Sequence, residues 1–211
     1  MKILYLKSVA STQLYLKEQL KAQKIYPPCA VCTQEQTQGI GSRDNRWQGY
    51  KGNLFLSFAI DKNELPSDLK LASASIYFAY LLKEVFELFG SSVWLKWPND
   101  FYIDKKKIGG MITSMNDNTL ICGVGINLVD NPEGFEKLDI NLTLEVLLEK
   151  YFEKIEKKVL WKQVFSKYKL EFYKNQNFST HKNNFKISLE NATLEEDGSV
   201  VVNGERIYSL R

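Results

Sequence analysis

The stretch Trp94–Gly110 constrains the fold of this chain more than any other, because it combines two short strand patterns with polar groups where a strand ends. The first strand is apolar except for Lys96 and stops at Pro98, since proline has no N–H to donate to a β-ladder. Asn99 and Asp100 follow at once as a polar pair, and a second short strand then leads into a lysine-rich turn. The sequence therefore predicts a β-hairpin bracketed by polar residues and glycines.

The end of this stretch, Lys107-Ile108-Gly109-Gly110, places a cation next to two residues that let a ligand approach the backbone. Together with the amide and carboxylate upstream, it supplies the groups that a site for phosphate and a divalent metal needs. The alternative is a surface hairpin with a basic turn, which we favour for Lys105 to Lys107 taken alone, because charge runs are mostly solvated. For the whole stretch we favour the site.

Composition narrows the class of protein. The chain has 211 residues, 44% of them hydrophobic and 25% charged, as expected for one sizeable globular domain with at most a small appendage. A net charge of +3 is too small to indicate nucleic acid as the main partner, and no apolar run reaches the roughly 20 residues of a membrane span. Residues 1–7 read as a first strand rather than a signal peptide. We therefore expect a cytoplasmic protein with neither DNA nor membrane as a partner.

Histidine and cysteine usage excludes several kinds of active site. His181 is the only histidine, so Ser-His-Asp triads, Cys-His pairs and histidine-ligated metal sites are nearly excluded. The three cysteines form no complete disulfide framework, and Cys29 and Cys32 lie in an apolar run, where we expect buried strand residues. Any catalysis must therefore rely on lysine, arginine, carboxylate, amide and backbone groups.

A long loop at residues 37–52 is a second candidate site. It contains four glycines together with Arg43, Arg46 and Trp47. Loops of this length inside a compact domain are mostly functional or disordered. Glycines let backbone N–H groups face an anion and arginines add bidentate donors, although a Walker P-loop is absent. The composition predicts an anion-binding loop that becomes ordered when ligand binds.

Hydrophobic periodicity predicts the remaining elements of the first part of the chain. Strands are expected at 2–6, 30–36, 53–60, 111–115 and 120–128, and helices at 13–22, 69–89, 144–157 and 159–173. Ser11 or Thr12 is expected to cap the first helix. Alternating glycines at Gly123 and Gly125 indicate a close approach to the last of these strands, which ends at Asn127.

The end of the chain has a different pattern. Short strands are expected at 186–189, 192–195, 200–202 and 206–210. Asp197-Gly198 and Asn203-Gly204 are strong hairpin signals between them. We therefore expect a main domain at 1–176 and a small all-β domain at 177–211, which needs the main domain for stability.

Three motifs in order resemble those of the biotin–protein ligases, or biotin–[acetyl-CoA-carboxylase] ligases, and the resemblance covers nearly the whole chain. They are Lys96-Trp97-Pro98-Asn99-Asp100, Lys107-Ile108-Gly109-Gly110 and Gly123-Val124-Gly125-Ile126-Asn127. Ser11-Thr12 is similar to the family's Ser-Thr before the first helix, and the Gln36-to-Trp47 loop resembles its Gly-Arg-Gly-Arg-x-Gly-Arg-x-Trp loop. One motif alone would be weak, whereas three at suitable spacing are specific.

The resemblance implies a fold and an activity. The fold is α+β, a mixed or antiparallel sheet with packed helices like that of class II aminoacyl-tRNA synthetases, plus a small C-terminal SH3-like β-barrel. In the implied reaction the biotin carboxylate attacks the α-phosphorus of ATP, giving biotinyl-5′-AMP and pyrophosphate. A lysine of the biotin carboxyl carrier protein of acetyl-CoA carboxylase then displaces AMP. Biotin, ATP and Mg²⁺ are implied, without a tightly bound prosthetic group, and adenylation needs charge neutralisation rather than a histidine base.

The resemblance also implies site residues. Lys107 and Arg43 are expected to be catalytic, with Lys107 between the biotin carboxylate and the α-phosphate. Asp100 and Asn99 are expected to position Mg²⁺ and phosphate, and Trp47 to lie against adenine. The expected biotin-binding residues are Ser11, Thr12, Gln36, Gly39, Gly41, Lys107 and Gly110. The expected ATP-binding residues are Arg43, Arg46, Trp47, Asn99, Lys107 and Asn127.

The chain departs from the family pattern in two places. Ile40 and Ser42 stand where the pattern has arginines, and Asp44-Asn45 replaces its Gly-Arg. With these cations missing, we expect weaker retention of the activated adenylate than in a ligase with the full motif. The catalytic pattern also starts at the first residues, so we expect neither a helix-turn-helix domain nor a repressor role.

Other functions stay open at this point. They are a lipoate–protein ligase, an octanoyl transferase of related fold, and a catalytically weak module that binds biotin or nucleotide. The Lys96-to-Asp100 motif together with Trp47 disfavours lipoate ligation, and the adenylate-site motifs disfavour the transferase. Oligomeric state also stays open, since a homodimer could form through an edge strand such as Thr119–Asn127.

Overall fold

The computed structural model describes residues 1–41, 46, 47, 49–130, 135–182 and 185–209, with the backbone alone at Arg46 and Lys182. The strands up to residue 126 are β1 (Lys2–Leu6), β2 (Cys29–Thr33), β3 (Gly39–Ile40), β4 (Arg46–Trp47), β5 (Leu54–Asp61), β6 (Trp94–Lys96), β7 (Asp100–Ile103), β8 (Lys106–Asn116) and β9 (Thr119–Ile126). The helices are α1 (Thr12–Lys21), α2 (Ala74–Leu88), α3 (Leu144–Glu156) and α4 (Trp161–Glu171), with short 3-10 turns at Lys62–Glu64, Leu71–Ser73 and Phe172–Asn175. No helix in these ranges is both long enough and apolar enough to cross a membrane.

A seven-stranded sheet in the order β1-β2-β5-β9-β8-β7-β6 organises the fold. β1 pairs with β2 in parallel, and the other neighbours pair antiparallel. The expected mixed sheet with packed helices is therefore confirmed. The expectation of a free edge at Thr119–Asn127 is wrong, because β9 pairs with β5 on one side and β8 on the other. Its backbone groups are already in a ladder and cannot pair with a second copy.

Alternation along the central strands gives the sheet two different faces, since successive strand side chains point to opposite sides. Toward α2 and α3, Phe58 packs edge-on against Phe78 and Tyr151, with ring centroids 5.4 and 5.8 Å apart. Ser57 points the other way and contacts Thr12 at the start of α1. The α1 face has a much smaller apolar cluster, formed by Leu16, Cys29, Val31, Ala59 and Ile121.

The helices begin close to the predicted positions, with one clear exception. Ser11 is the N-cap of α1, where its Oγ accepts from the Leu14 N–H at 3.4 Å. α2 was expected from residue 69, but the chain first makes the 3-10 turn at Leu71–Ser73 and enters α2 only at Ala74.

Within α2 the ammonium of Lys83 is buried and pairs with Glu171 and, at 2.7 Å, with Glu87. This pairing joins α2 to the end of α4.

The C-terminal strands form two small sheets that share the main core. They are β10 (Ser179–Lys182), β11 (Phe185–Ser188), β12 (Thr193–Leu194), β13 (Val200–Val202) and β14 (Glu205–Ile207). β10 and β11 make one sheet and β12 to β14 another, so the expected closed barrel is not confirmed among the described residues. β10 was missed because Ser-Thr-His-Lys carries no apolar alternation. Val200 and Val202 are buried in the main core, and the domain boundary at 176/177 stays a prediction.

The Cys29-x-x-Cys32 pair lies on β2, with its two side chains on opposite faces of the sheet. Cys29 belongs to the cluster under α1, whereas Cys32 belongs to the main core. Both are free, and burial raises the pKa of Cys29 to about 11 and that of Cys32 to about 12. A thiol with a raised pKa holds little reactive thiolate at neutral pH. The expectation of buried strand cysteines is confirmed by their positions on β2.

Candidate functional site

A polar cavity lies on the α1 side of the sheet, where the starts of α1 and β8 approach the middle of β5 and β9. Predicted site residues line it from segments far apart in the chain. Those residues are Ser11, Thr12, Gln36, Gly41, Trp47, Asn99, Asp100, Lys107 and Gly110. The fold thus brings most of the sequence motifs to one place.

Gly39, a predicted residue of the glycine–arginine loop, does not line this cavity. Gly39 stands behind Gln36, where a Cβ would lie 2.6 Å from Gln36 Nε2 and 2.4 Å from the Trp47 carbonyl oxygen. The absence of a side chain at Gly39 therefore lets β3 pack against both neighbours. Arg43 lies outside the described residues, as does the side chain of Arg46. The predicted ordering of this loop on ligand binding also concerns residues outside the described ranges.

Asn127 is buried beside the site, and its side chain has protein partners. Its Oδ1 accepts from Asn53 Nδ2 at 3.2 Å, and its Nδ2 donates to the Glu136 carbonyl at 3.1 Å. Its backbone N–H donates to the Ile108 carbonyl at 2.7 Å. The backbone contact holds the residue after β9 against the start of β8, and the side-chain contacts join it to Asn53 and Glu136. The predicted contact of Asn127 with ATP stays a prediction.

The inner end of the cavity is a cluster of neutral hydrogen-bonding groups. The Thr12 backbone N–H donates to Gln36 Oε1 at 2.9 Å, and Thr12 Oγ1 lies 3.2 Å from the same oxygen. Thr12 Oγ1 is also 2.8 Å from Ser57 Oγ. Ser11, Thr12 and Ser57 are all buried. A buried cluster of this kind can bind a neutral group that presents both donors and acceptors, and it offers no charge to an ion.

Sequence reasoning did not predict several residues that line the cavity, among them Gln13, Phe55, Ser57, Met111 and Ile112. Ser57 did carry a signal, because it is the one hydroxyl residue in the apolar strand β5. A polar side chain in a buried strand must find a partner, and that partner marks a polar site. Gln13 follows Ser11-Thr12 directly and was assigned to the helix alone. The apolar residues carried no signal that separates a cavity wall from a core.

The outer end of the cavity is charged. Lys107 Nζ lies 2.7 Å from Asp100 Oδ1, and Lys96 Nζ lies 3.8 Å from Asp100 Oδ2. The Lys107 ammonium is also 5.6 Å from the centroid of the Trp47 ring. Among the described residues, two ammonium groups lie beside one carboxylate, an arrangement that suits an anionic ligand.

A β-bulge places Lys107 on the cavity face of the sheet. Between β7 and β8, Phe101 pairs with Gly109 and Tyr102 pairs with Lys107, so Ile108 is an extra residue on β8. Ile108 consequently points into the main core, whereas Lys107 lines the cavity. Bulges next to active sites commonly redirect a side chain in this way. The strand predicted at 111–115 lies within β8, which begins earlier, at Lys106. Only the predicted start of this strand is wrong.

The glycines of the third motif let an aromatic ring approach the sheet closely. A Cβ at Gly125 would lie 2.9 Å from Trp47 Nε1, so the indole rests directly on bare backbone. Trp47 Nε1 is buried and has no hydrogen-bond partner among the described residues. A buried donor without a partner is costly unless a ligand supplies an acceptor. The predicted contact of Trp47 with adenine is compatible with this position and stays a prediction.

The charged end fits a phosphate-bound Mg²⁺ better than a metal held by protein alone. No group of three His, Cys, Asp or Glu side chains among the described residues is placed to hold a metal ion. Asp100 supplies one carboxylate to the cavity, and the Asn99 amide, which donates to the Met111 carbonyl, supplies an oxygen. Mg²⁺ usually keeps several waters and is bound by one or two carboxylates together with substrate phosphates. Asp100 and Asn99 match that donor set.

Comparison with known proteins gives consistent matches. Residues 5–128 match the sequence profile of the biotin/lipoate A/B protein ligase family. The crystal structure of the biotin acetyl coenzyme A carboxylase synthetase of Helicobacter pylori, with bound biotinylated ATP, is 37% identical with a TM-score of 0.95 and covers 98% of this chain and 99% of that chain. The Aquifex aeolicus biotin protein ligase in complex with biotin and ATP, at 22% identity and a TM-score of 0.76, has a similar fold over 100% of this chain and 96% of that chain.

A curated relative from Escherichia coli is longer than this chain. The bifunctional ligase/repressor BirA of that organism is 27% identical over 127 residues, which are 57% of this chain and 38% of that protein. The chain therefore spans well under half of that relative's length.

Proposed function

The chain belongs to the biotin/lipoate A/B protein ligase family, and we propose that it is an ATP-dependent biotin–protein ligase. It activates biotin as biotinyl-5′-AMP and transfers the biotinyl group to a lysine of the biotin carboxyl carrier protein of acetyl-CoA carboxylase. The observation that carries the proposal is one cavity with a neutral hydrogen-bonding cluster at its inner end and Lys107 paired with Asp100 at its outer end. A long substrate with a neutral polar head and a carboxylate tail fits this order of groups.

The biotin end of the proposal uses the inner cluster. Ser11, Thr12 and Gln36 bind the ureido ring, and Gly39 permits the close packing that brings Gln36 into place. Gly41 and Gly110 leave space along the valeryl chain, because glycine adds no side chain to the wall. The carboxylate then lies at the outer end of the cavity.

The nucleotide end of the proposal uses the charged groups. Lys107 offsets negative charge as the biotin carboxylate attacks the α-phosphorus of ATP, which is the position where charge develops in the transition state. Asp100 holds the Lys107 ammonium in place at 2.7 Å. Together with Asn99, Asp100 would hold Mg²⁺, which would neutralise charge on the phosphates.

Four more residues complete the nucleotide site in this proposal. Arg43 acts as the second catalytic cation, Arg46 binds phosphate, Trp47 lies against adenine and Asn127 contacts the nucleotide. The proposed acceptor is a protein, with neither DNA nor membrane as a partner, and the proposed location is the cytoplasm. We keep the proposed division into a main domain at 1–176 and a C-terminal β domain at 177–211.

A lipoate ligase is disfavoured by the polarity of the inner end. A dithiolane ring has no N–H group and no carbonyl, so it could form no hydrogen bonds with the polar groups of Thr12 and Gln36. Sites built to hydrogen-bond a ligand discriminate against analogues that lack the matching groups.

ATP–pyrophosphate exchange with biotin or lipoate as the acid tests the proposal. We expect exchange that depends on biotin and is absent with lipoate. Exchange with lipoate alone would support a lipoate ligase, and exchange with neither acid would support a binding module. Transfer to a purified carrier domain, followed by mass spectrometry of its lysine, then tests the second step.

A further inference from the structure

Ser57 is a fully buried hydroxyl in the middle of β5, and it borders the cavity. Its Oγ lies 2.8 Å from Thr12 Oγ1, across the gap between the sheet and α1. On the neighbouring strand, a Cβ at Gly123 would lie 3.5 Å from Ser57 Oγ, so the missing side chain leaves open space beside the hydroxyl. Ser57 therefore faces the space that a ligand head group would occupy.

The backbone of Thr12 determines how the Gln36 amide is turned. The Thr12 N–H is in the first turn of α1, where backbone donors have no partner within the helix. An N–H needs an acceptor, so the amide atom 2.9 Å away must be the oxygen, Oε1. The Nε2 of Gln36, with its two donors, is then turned away from Thr12.

The direction of each further hydrogen bond follows from this orientation. Thr12 Oγ1 lies 3.2 Å from Gln36 Oε1, and it must be the donor because a carbonyl oxygen carries no hydrogen. A hydroxyl has one hydrogen, so Thr12 has none left for Ser57. The 2.8 Å contact must therefore be donated by Ser57 and accepted by Thr12.

From this chain of hydrogen bonds, we propose that Ser57 is a positioning residue that makes the inner end of the cavity selective for a cyclic urea. By donating to Thr12, Ser57 holds the Thr12 hydrogen on Gln36 and leaves a Thr12 lone pair for an N–H of the ligand. This inference rests on the proposed function and identifies Ser57 as a residue that determines its substrate class.

Removing the Ser57 hydroxyl has a defined consequence. Thr12 Oγ1 is then held only by its 3.2 Å bond to Gln36 and can turn its hydrogen toward the cavity. A hydrogen in that position opposes a ligand N–H. The loss is therefore specific to ligands with an N–H at this point, whereas a general loss of packing would weaken every ligand alike.

The test compares Ser57→Ala with wild type by calorimetry, using four ligands. We expect biotin and desthiobiotin, which both keep the urea, to bind about tenfold more weakly to the variant, as for the loss of one buried hydrogen-bond arrangement. A biotin analogue with a ring oxygen in place of one urea N–H should lose much less affinity, and binding of lipoate should not change. In pyrophosphate exchange the KM for biotin should rise about tenfold, while kcat and the KM for ATP stay within about twofold.

Ser73→Ala is the matched control, because Ser73 is also fully buried and donates to the Asp197 carbonyl at 2.7 Å, away from the cavity. It should lower stability without changing the affinity for biotin. Ser57→Cys, of similar size and with a weak S–H donor, should fall between wild type and Ser57→Ala and serves if the alanine variant does not fold.

Two results would overturn the role of Ser57: unchanged biotin affinity in both Ser57 variants, or an equal loss for all four ligands. Failure of the proposed function is distinguishable, because it appears as absence of biotin-dependent exchange in the wild type itself.

Discussion

The two faces of the seven-stranded sheet differ in side-chain size and polarity, although the same strands build both. On β5, Leu56 and Phe58 fill the main core, while the intervening Ser57 borders the cavity. On β9, Cys122 belongs to the core and Gly123 to the cavity. Small or polar residues at alternate positions make room for a ligand while the opposite face stays close-packed.

This difference separates stability from ligand binding within single strands. Substitutions on the core face should change the free energy of unfolding and leave the chemistry of the folded fraction intact. Substitutions on the cavity face should change ligand binding or catalysis and leave the free energy of unfolding nearly unchanged. Three measurements test this separation.

The largest expected effect is on the core face, with Phe58→Ala. The Phe58 side chain is fully buried among aromatic rings, so its removal leaves a cavity and should lower the free energy of unfolding by about 3–5 kcal/mol. Denaturant unfolding measures the loss, and exchange activity per folded molecule should stay near that of wild type. Leu4→Ala on the exposed edge strand β1 is the control, with an expected cost below about 1 kcal/mol. An equal cost at both sites would contradict the assignment of the main core.

The next effect is on the cavity face, with Lys107→Ala. Loss of this cation should lower biotin-dependent exchange by roughly 100-fold or more, as for removal of one group that stabilises transition-state charge. The free energy of unfolding should change little, because the Lys107 side chain is 39% exposed and its ion pair is partly solvated. Lys106→Ala, next to it on β8 and paired with Glu136 at the surface, should keep its activity. Comparable activity in the two variants would refute the role of Lys107.

The smallest expected effect is the pH dependence of stability that arises from Glu84, which lies on α2 on the core side of the sheet. Burial raises the pKa of Glu84, but hydrogen bonds and charges from Lys154 and Lys167 outweigh it, so the pKa lies below its usual value. A carboxyl group whose pKa is lower in the folded than in the unfolded protein stabilises the fold. This stabilisation is fully present above the unfolded pKa of about 4.3 and is lost as the pH falls through the folded pKa.

Unfolding measured from about pH 6 down to about pH 3 should therefore show a steeper acid loss in wild type than in Glu84→Gln, by less than about 1 kcal/mol. The same acid dependence in both proteins would show that these helix-to-helix ion pairs contribute nothing measurable.

Much of the site could be predicted from the sequence, because its residues occur in contiguous motifs. Asn99-Asp100 and Lys107 to Gly110 lie on one hairpin, and the structure places Asn99, Asp100, Lys107 and Gly110 along one cavity. The family resemblance that these motifs suggested is confirmed. Arg43 could not be placed, since it lies outside the described residues.

Other features were beyond sequence reasoning because they depend on pairing between distant segments. The position of β9 in the sheet interior is decided by which strands hydrogen-bond to it, and alternation looks the same in an interior and an edge strand. The partners of the Asn127 amide, which are Asn53 and the Glu136 carbonyl, also come from other segments. The predicted contact of Asn127 with the nucleotide stays a prediction.

The sequence by itself determined which chemical groups are available, including the cations, carboxylate and amides of the motifs and the near absence of histidine. It also determined the alternation that separates the faces of β5. Only the tertiary structure decided that a bulge at Ile108 turns Lys107 toward the cavity, and that Ser57 meets Thr12. Strand register and hydrogen-bond direction arise from contacts between segments distant in the chain, whereas local sequence specifies only the groups that can make those contacts.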